Sequence, residues 1–291
     1  MNDSKLESLL ERAERLLQRL ELLLPPLPGE TRWSAPAYRW RTRNGLGWIE
    51  AIADPRTMQL DDLLCMERQK REIMRNTERF LGGLPANNVL LWGSRGTGKS
   101  SLIRALLGAY QLQGLRLLEV DKEDLQQLPD ILKLISARSE HFILYCDDLS
   151  FETGETSYKQ LKAALEGSLS GLPENVLIYA TSNRRHLLPE YHDENREARF
   201  VEGEIHQGES TEEKISLSER FGLWLSFHPF TQDQYLAIVE HWLRRLGQKA
   251  DDYSRENALR WALQRGSRSG RVARQFAVYH TQFNAAEPAG G

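Results

Sequence analysis

The residues Gly93-Ser94-Arg95-Gly96-Thr97-Gly98-Lys99-Ser100 fit the pattern G-x-x-x-x-G-K-[ST] in full. The pattern has a specific chemistry. Its glycines let the backbone curl until several N–H groups point at one anion. A helix opening at the end of the loop adds the partial positive charge of its N-terminus. The Lys99 ammonium then reaches the β- and γ-phosphates of a nucleoside triphosphate, and the Ser100 hydroxyl ligates Mg²⁺. Ser101 stands beside them in the first helical turn. An apolar run precedes the loop and a helical pattern follows it, the setting in which this motif is informative rather than a chance glycine-rich turn.

A second half-site comes later. Phe142-Ile143-Leu144-Tyr145-Cys146 is an apolar strand that ends in Asp147-Asp148. An acid at the carboxyl edge of such a sheet falls beside the phosphate loop. Asp147 is placed to hold Mg²⁺ through its water shell, because Mg²⁺ keeps several waters and takes few carboxylates. Asp148 is aimed at the attacking water. Alone, strand-Asp-Asp can be a plain strand exit; downstream of a complete phosphate loop it is specific. Tyr179-Ala180-Thr181-Ser182-Asn183 ends the next strand, and Asn183 can reach the γ-phosphate or its water.

These groups need a frame, and the hydrophobic patterning supplies one. Strands are expected at Asn88–Trp92, Leu115–Val120, Phe142–Cys146, Val176–Ala180 and Leu223–Phe227. Helices are expected from Leu60 to about Leu81 and at Ser100–Leu112, Leu125–Ala137 and Tyr158–Leu169. Such alternation implies an α/β fold, a parallel sheet covered by helices on both faces. After Pro229 the strand signals stop, and Gln232–Leu246, Arg255–Gln264 and Arg271–Phe283 read as a small all-α domain. The resulting division is an N-terminal extension over 1–57, an ATP-binding α/β domain over 58–229, a helical lid over 230–284 and a frayed tail over 285–291.

Three stretches lie outside this frame. Leu6, Leu9, Ala13, Leu16, Leu20 and Leu23 form a heptad seam on an N-terminal helix, which packs on the body or binds a protein partner. Residues 36–52 interleave Tyr38, Arg39, Trp40, Arg41, Arg43 and Trp48 around Asn44-Gly45, a hairpin signal. Aromatic and basic side chains together could stack nucleic-acid bases, although aromatics on a small hairpin more often cover a core. Residues 190–218 are acidic and poor in large apolar groups, and read as a solvated, mobile insertion.

Taken together, the phosphate loop, strand-Asp-Asp, strand-Thr-Ser-Asn, Ser218-Glu219-Arg220-Phe221 and an Arg-bearing helix in a small α domain resemble an AAA+ ATPase over roughly residues 58–283. More narrowly, Leu60-Asp61-Asp62-Leu63, Glu67-Arg68-Gln69-Lys70, Ser182-Asn183-Arg184-Arg185-His186-Leu187 and Leu217–Gly222 are similar to an uncharacterised bacterial family of predicted AAA+ ATP-binding proteins. The resemblance implies ATP and Mg²⁺ as ligands and a homo-oligomer. It implies that Asn183 is the sensor 1 residue and that Arg220 is an arginine finger acting on a neighbouring subunit's ATP. It also implies that Arg271 is the sensor 2 residue, reaching the γ-phosphate of its own subunit. Leu60–Leu64, with Leu63, would line the adenine pocket. Two departures stand out. Most members of the class end the strand Asp-Glu; the Asp148 side chain is one methylene shorter, which would set the base further from the water and slow hydrolysis, although the replication-initiator branch of the class also carries Asp there. A glycine is common where this chain has Cys65.

The absence of an aromatic-glycine threading loop at Glu119–Leu125 disfavours a protein unfoldase. Two functions stay open: an ATPase that remodels or loads a macromolecular partner, and a nucleotide-gated assembly switch of helicase-loader type. Forty per cent hydrophobic and 27% charged residues describe an ordinary globular chain of 291 residues. A net charge of -3 provides no global field toward nucleic acid or anionic lipid. Cys65 and Cys146 lack metal-ligand spacing and imply a reducing compartment. No stretch resembles a secretory signal or a membrane span, so a cytoplasmic location is expected.

Overall fold

The computed structural model describes residues 12–14, 31–151, 156–166, 172–185, 187, 199–201, 204–206 and 217–284. The heptad seam, apart from a helical turn at 12–14, and the C-terminal tail lie outside the described residues. So does most of the acidic insertion, in which Arg199–Val201 (β7) pairs antiparallel with Glu204–His206 (β8).

The central sheet has seven strands: Ala37–Arg43 (β1), Leu46–Ile52 (β2), Val89–Gly93 (β3), Leu115–Glu119 (β4), His141–Cys146 (β5), Val176–Ser182 (β6) and Leu223–Phe227 (β9). Their order is β2-β1-β4-β5-β6-β3-β9, and every pairing is parallel except β1 with β2. The helices of the body are Glu67–Leu81 (α1), Lys99–Tyr110 (α2), Leu128–Ser136 (α3) and Thr156–Glu166 (α4). Those of the C-terminal region are Gln232–Arg245 (α5), Asp252–Gln264 (α6) and Gly270–Asn284 (α7). β6 is buried along its whole length, as a central strand covered on both faces must be. One apolar cluster lies under α1 and α2 and continues into the three C-terminal helices. The other packs β4, β5 and β6 against α3. Because β3 sits between β6 and β9 while β4 lies further off, the chain reverses direction across the sheet at β3. The crevice beyond the carboxyl ends of the strands at such a point is where ligands bind in open α/β sheets.

Two expectations are corrected here. The helix drawn from Leu60 begins at Glu67. Leu60–Asp62 is a short 3-10 turn, and Cys65 has φ +62°, a left-handed conformation that no right-handed helix can pass through. That same angle explains why glycine suits the position. Second, the hairpin forms as read, turning at Asn44 and Gly45, both with positive φ. It is not a unit apart from the body, however: β1 pairs in parallel with β4, so the sheet crosses the boundary placed at residue 57. Tyr38 and Trp40 face inward, whereas Trp48 pairs with Arg41 on the other face and is half-buried. Trp40 is 2% exposed with its indole N–H donating to Gln127, and Tyr38 is equally buried with its hydroxyl donating to the Trp33 carbonyl. Neither ring is free to stack on a base. Arg39 pairs with Glu119 and Arg41 with Glu50.

Candidate nucleotide site

β3 ends at Gly93, where only glycine fits. φ is +131°, and a Cβ there would lie 1.9 Å from the Phe227 carbonyl oxygen on β9. The close approach lets the Ser94 N–H donate to that oxygen at 3.0 Å, pinning the start of the loop. The Ser94 carbonyl in turn accepts from the Thr97 hydroxyl at 2.7 Å. Gly98 then supplies a left-handed turn, and α2 begins at Lys99 with no side-chain cap. Its first-turn N–H groups therefore depend on something other than the chain's own side chains. The C-terminal helices contrast with it: Thr231 with Gln234, and Asp251 with Ser254, form complete capping boxes on α5 and α6.

Lys99 is 6% exposed. Its ammonium donates to the carbonyls of Gly93 (2.7 Å) and Ser94 (2.9 Å) and to Asn183 Oδ1 (3.1 Å). All three acceptors are neutral, and among the described residues no carboxylate stands within ion-pair distance. Burial pushes the Lys99 pKa below its ordinary value, although the more distant charges of Asp148 and Asp147 act in the opposite sense. A buried cation without a contacting anion is a deficit that a bound phosphate would fill.

Asp147 stands opposite. The Ser100 hydroxyl donates to Asp147 Oδ1 at 2.7 Å, and the Thr181 hydroxyl donates to the same oxygen at 2.6 Å. Arg104 Nη2 lies 3.7 Å from the other oxygen. Burial alone would raise the carboxyl pKa, but hydrogen bonds from Thr181 and Ser100, with the Arg104 charge, hold it below the usual range. Asp148 takes a left-handed backbone, φ +50°, with its N–H donating to Thr181 Oγ1 at 2.9 Å. Its carboxylate accepts from Asn183 Nδ2 and lies 3.9 Å from Arg95 Nη2. Asn183 thus bridges Lys99 and Asp148 with the two ends of one amide.

These residues line one cleft of about 1000 Å³, together with Leu63, Gly96, Thr97, Gly98, Ser101 and Arg271. Residues 58–66 form one wall and the C-terminal helices another. Asp62 joins the walls: Arg245 on α5 donates to both its oxygens, at 2.9 and 3.0 Å, and His241 Nε2 is 3.0 Å from Oδ1. Burial opposes ionisation of Asp62, but Arg245 and His241 outweigh it and keep its pKa low. At the other end, the Gly270 N–H donates to the Gly96 carbonyl at 3.0 Å, fastening α7 to the loop beside Arg271. Arg220 lies just ahead of β9 and does not line the cleft.

Sequence reasoning assigned no role to Thr181 or Arg104. Arg104 is one helical turn beyond Ser100, and that i,i+4 spacing could have revealed it. Thr181 could have been found from β6 pairing beside β5, which carries its hydroxyl to the carboxylate that follows Cys146.

The family described as "Protein of unknown function (DUF815)" matches residues 33–282. The chain belongs to that family. No curated protein sequence matches it. Among solved structures it is similar to RuvB of Thermotoga maritima, titled a Holliday junction branch migration motor. The identity is 16% and the TM-score 0.50, over 75% of this chain and 62% of that one. It is also similar to the Orc1 protein of Aeropyrum pernix, whose structure is titled as a complex with DNA. There the identity is 17% and the TM-score 0.53, over 78% of this chain and 62% of that one. A third similar structure is titled a DNA replication initiation factor, at 14% identity and TM-score 0.50, over 78% and 64%. The chain therefore spans less than two thirds of each of these. At such identities the likeness is one of fold: the AAA+ type of P-loop NTPase, with its parallel sheet and helical C-terminal region.

Proposed function

We propose that this protein binds ATP with Mg²⁺ in the cleft between the α/β body and the C-terminal helices, and hydrolyses it to drive the loading or remodelling of a macromolecular partner. The carrying observation is the 2.7 Å contact between the Ser100 hydroxyl and Asp147, beside a buried Lys99 whose hydrogen-bond acceptors among the described residues are all neutral. Two oxygen ligands meeting at the mouth of a phosphate loop suit a hard cation that keeps most of its water. Mg²⁺ held there would withdraw charge from the phosphate oxygens.

The roles of the chain's own groups follow from where they stand. Amides of Gly96–Lys99 and the open helix end bind phosphate. Lys99 leaves its carbonyl partners for the β- and γ-oxygens. Asn183 orients the water or the terminal phosphate. Arg271 reaches the cleft from the lid and reports its occupancy. Arg220, outside the cleft, serves a neighbouring subunit, which makes the working form an oligomer. Titrations of ATP with and without Mg²⁺ test the reading: tight, Mg²⁺-dependent binding is expected, and its absence ends it.

A second reading is favoured by Asp148. The short carboxylate is tied to Asn183 and faces Arg95, so it makes a weak base for water. The protein would then be a nucleotide-gated assembly switch with incidental turnover. Steady-state hydrolysis by the wild type and Asp148→Glu separates the two. A fast wild type supports the motor; tight binding with almost no turnover, raised by the longer acid, supports the switch. The partner itself follows from neither. The burial of Tyr38 and Trp40 removes those two rings of the hairpin from any nucleic-acid surface. Among the described residues no helix is long and apolar enough to cross a membrane.

A further inference from the structure

The phosphate loop carries a second cation, Arg95, and its setting differs from that of Lys99. The backbone is pinned on both sides of it. The Ser94 N–H is bonded to the Phe227 carbonyl at 3.0 Å, and the Gly96 carbonyl accepts from Gly270 at 3.0 Å. The side chain projects from this fixed base into the cleft and is 83% exposed. Its guanidinium lies 3.9 Å from Asp148 Oδ2, an exposed contact too long for a hydrogen bond and easily given up. Asp148 is joined through Asn183 to Lys99. Arg95 therefore stands where the terminal phosphate of a nucleotide bound by Lys99 would meet its attacking water.

We infer that Arg95 is a catalytic residue acting within its own subunit, leaving Asp148 to stabilise charge on the γ-phosphoryl oxygens. The inference rests on the nucleotide reading above. In the step it serves, the water oxygen bonds to the γ-phosphorus and the bridging oxygen departs on ADP with the bonding electron pair. The water's proton passes to Asp148 and then to solvent. Arg95 keeps its own protons and donates N–H groups to the three equatorial oxygens as charge spreads over them. A planar guanidinium with five donors and a permanent charge fits that task better than an ammonium. Its movement also frees Asp148 at the moment the acid is needed. An ordinary solvated surface arginine would have no reason to be held on a clamped loop facing the one acid placed to meet the water.

The test uses the full chain and calorimetric titration with MgADP, alone and with aluminium fluoride, which mimics the phosphoryl group in transfer. The wild type is expected to bind more tightly when fluoride is present. Arg95→Ala is expected to bind MgADP as before but to lose on the order of 10³-fold of the fluoride gain, and of kcat where turnover is measurable. Arg95→Lys should recover only part. A fluoride gain retained in Arg95→Ala overturns the proposal. So does an equal loss for MgADP alone, because the residue would then be a ground-state binder. A wild type that binds MgADP without any fluoride gain overturns it as well and leaves nucleotide binding standing. A wild type that binds no MgADP at all removes the nucleotide reading and this inference with it.

Discussion

The hairpin at 37–52 and the phosphate loop at 93–100 both concentrate basic residues, and they treat the charge in opposite ways. In the hairpin two of the three guanidiniums have a carboxylate: Arg39 contacts Glu119 and Arg41 contacts Glu50, while Arg43 is exposed at the turn. The two paired charges are neutralised by the protein itself, and Trp40 between them is spent on the core. In the loop, Lys99 is far more buried than either arginine, yet its partners are two backbone carbonyls and an amide. Basic composition therefore does not mark a binding site. What distinguishes Lys99 is that the fold buries it with no carboxylate in contact among the described residues, so that an incoming anion would offset the cost of burying the charge.

The sharpest way to break this contrast is to remove the two kinds of cation and compare. Lys99→Ala should lower ATP affinity by about a hundredfold or more, on the order of 3 kcal/mol, since charge-assisted bonds to phosphate are lost. The same variant should unfold no earlier than the wild type without nucleotide, because it discards an uncompensated buried charge. Thermal scans with and without MgATP read both effects. The pH dependence has a definite sign. The folded pKa of Lys99 lies below its unfolded value, so its penalty is present at neutral pH and fades as pH rises through the folded pKa. A nucleotide-free Lys99→Ala protein that is much less stable would contradict the idea of an unanswered charge.

The acid side of the cleft offers the next largest effect. Thr181 is buried and serves two acceptor or donor partners, Asp147 Oδ1 and the Asp148 N–H. Thr181→Val keeps the shape, removes one of the two hydroxyls bonded to Asp147 Oδ1 and leaves the Asp148 N–H without its acceptor, so it should cost roughly 1–3 kcal/mol in denaturant unfolding at neutral pH. Asp147 has a depressed folded pKa, so the stability it contributes is present above its unfolded pKa and is lost as pH falls through the folded one. The gap between variant and wild type should therefore narrow in acid. A gap that stays constant with pH would detach Thr181 from the ionisation of Asp147.

In the hairpin the same surgery should do little. Arg41→Ala removes an exposed pair and should shift stability by less than about 1 kcal/mol, with no change in ATP affinity and with even that shift erased by salt. Reduced ATP binding in this variant would erase the distinction between the two regions. The smallest effect concerns the wall of the cleft. Cys65→Gly relieves a left-handed residue at φ +62° but adds freedom to the unfolded chain, for a net gain of roughly 0.5 kcal/mol in chemical denaturation. A loss of stability would show that the cysteine side chain contributes packing that outweighs its strain.

Much of this architecture was legible in the amino acids. Local spacing alone carries the phosphate loop, since Gly93, Gly96 and Gly98 permit backbone angles closed to other residues and Lys99 follows at a fixed interval. Apolar runs such as 142–146 announce a buried parallel strand, and the acids after it mark the strand's exit. Asn44-Gly45 dictates its own turn. These are short-range facts, decided within a few residues of chain. Pairing across the sheet is decided otherwise. That Thr181 supports Asp147, that Gly270 fastens α7 to Gly96, that Asp62 accepts Arg245 from α5 and that the hairpin extends the main sheet all depend on strand order and helix docking. Those contacts join residues far apart in sequence, and their energies come from burial and charge pairing that exist only once the sheet has assembled. The chain thus specifies by itself which groups could bind a phosphate, whereas tertiary structure alone decides which of its cations is buried among neutral acceptors.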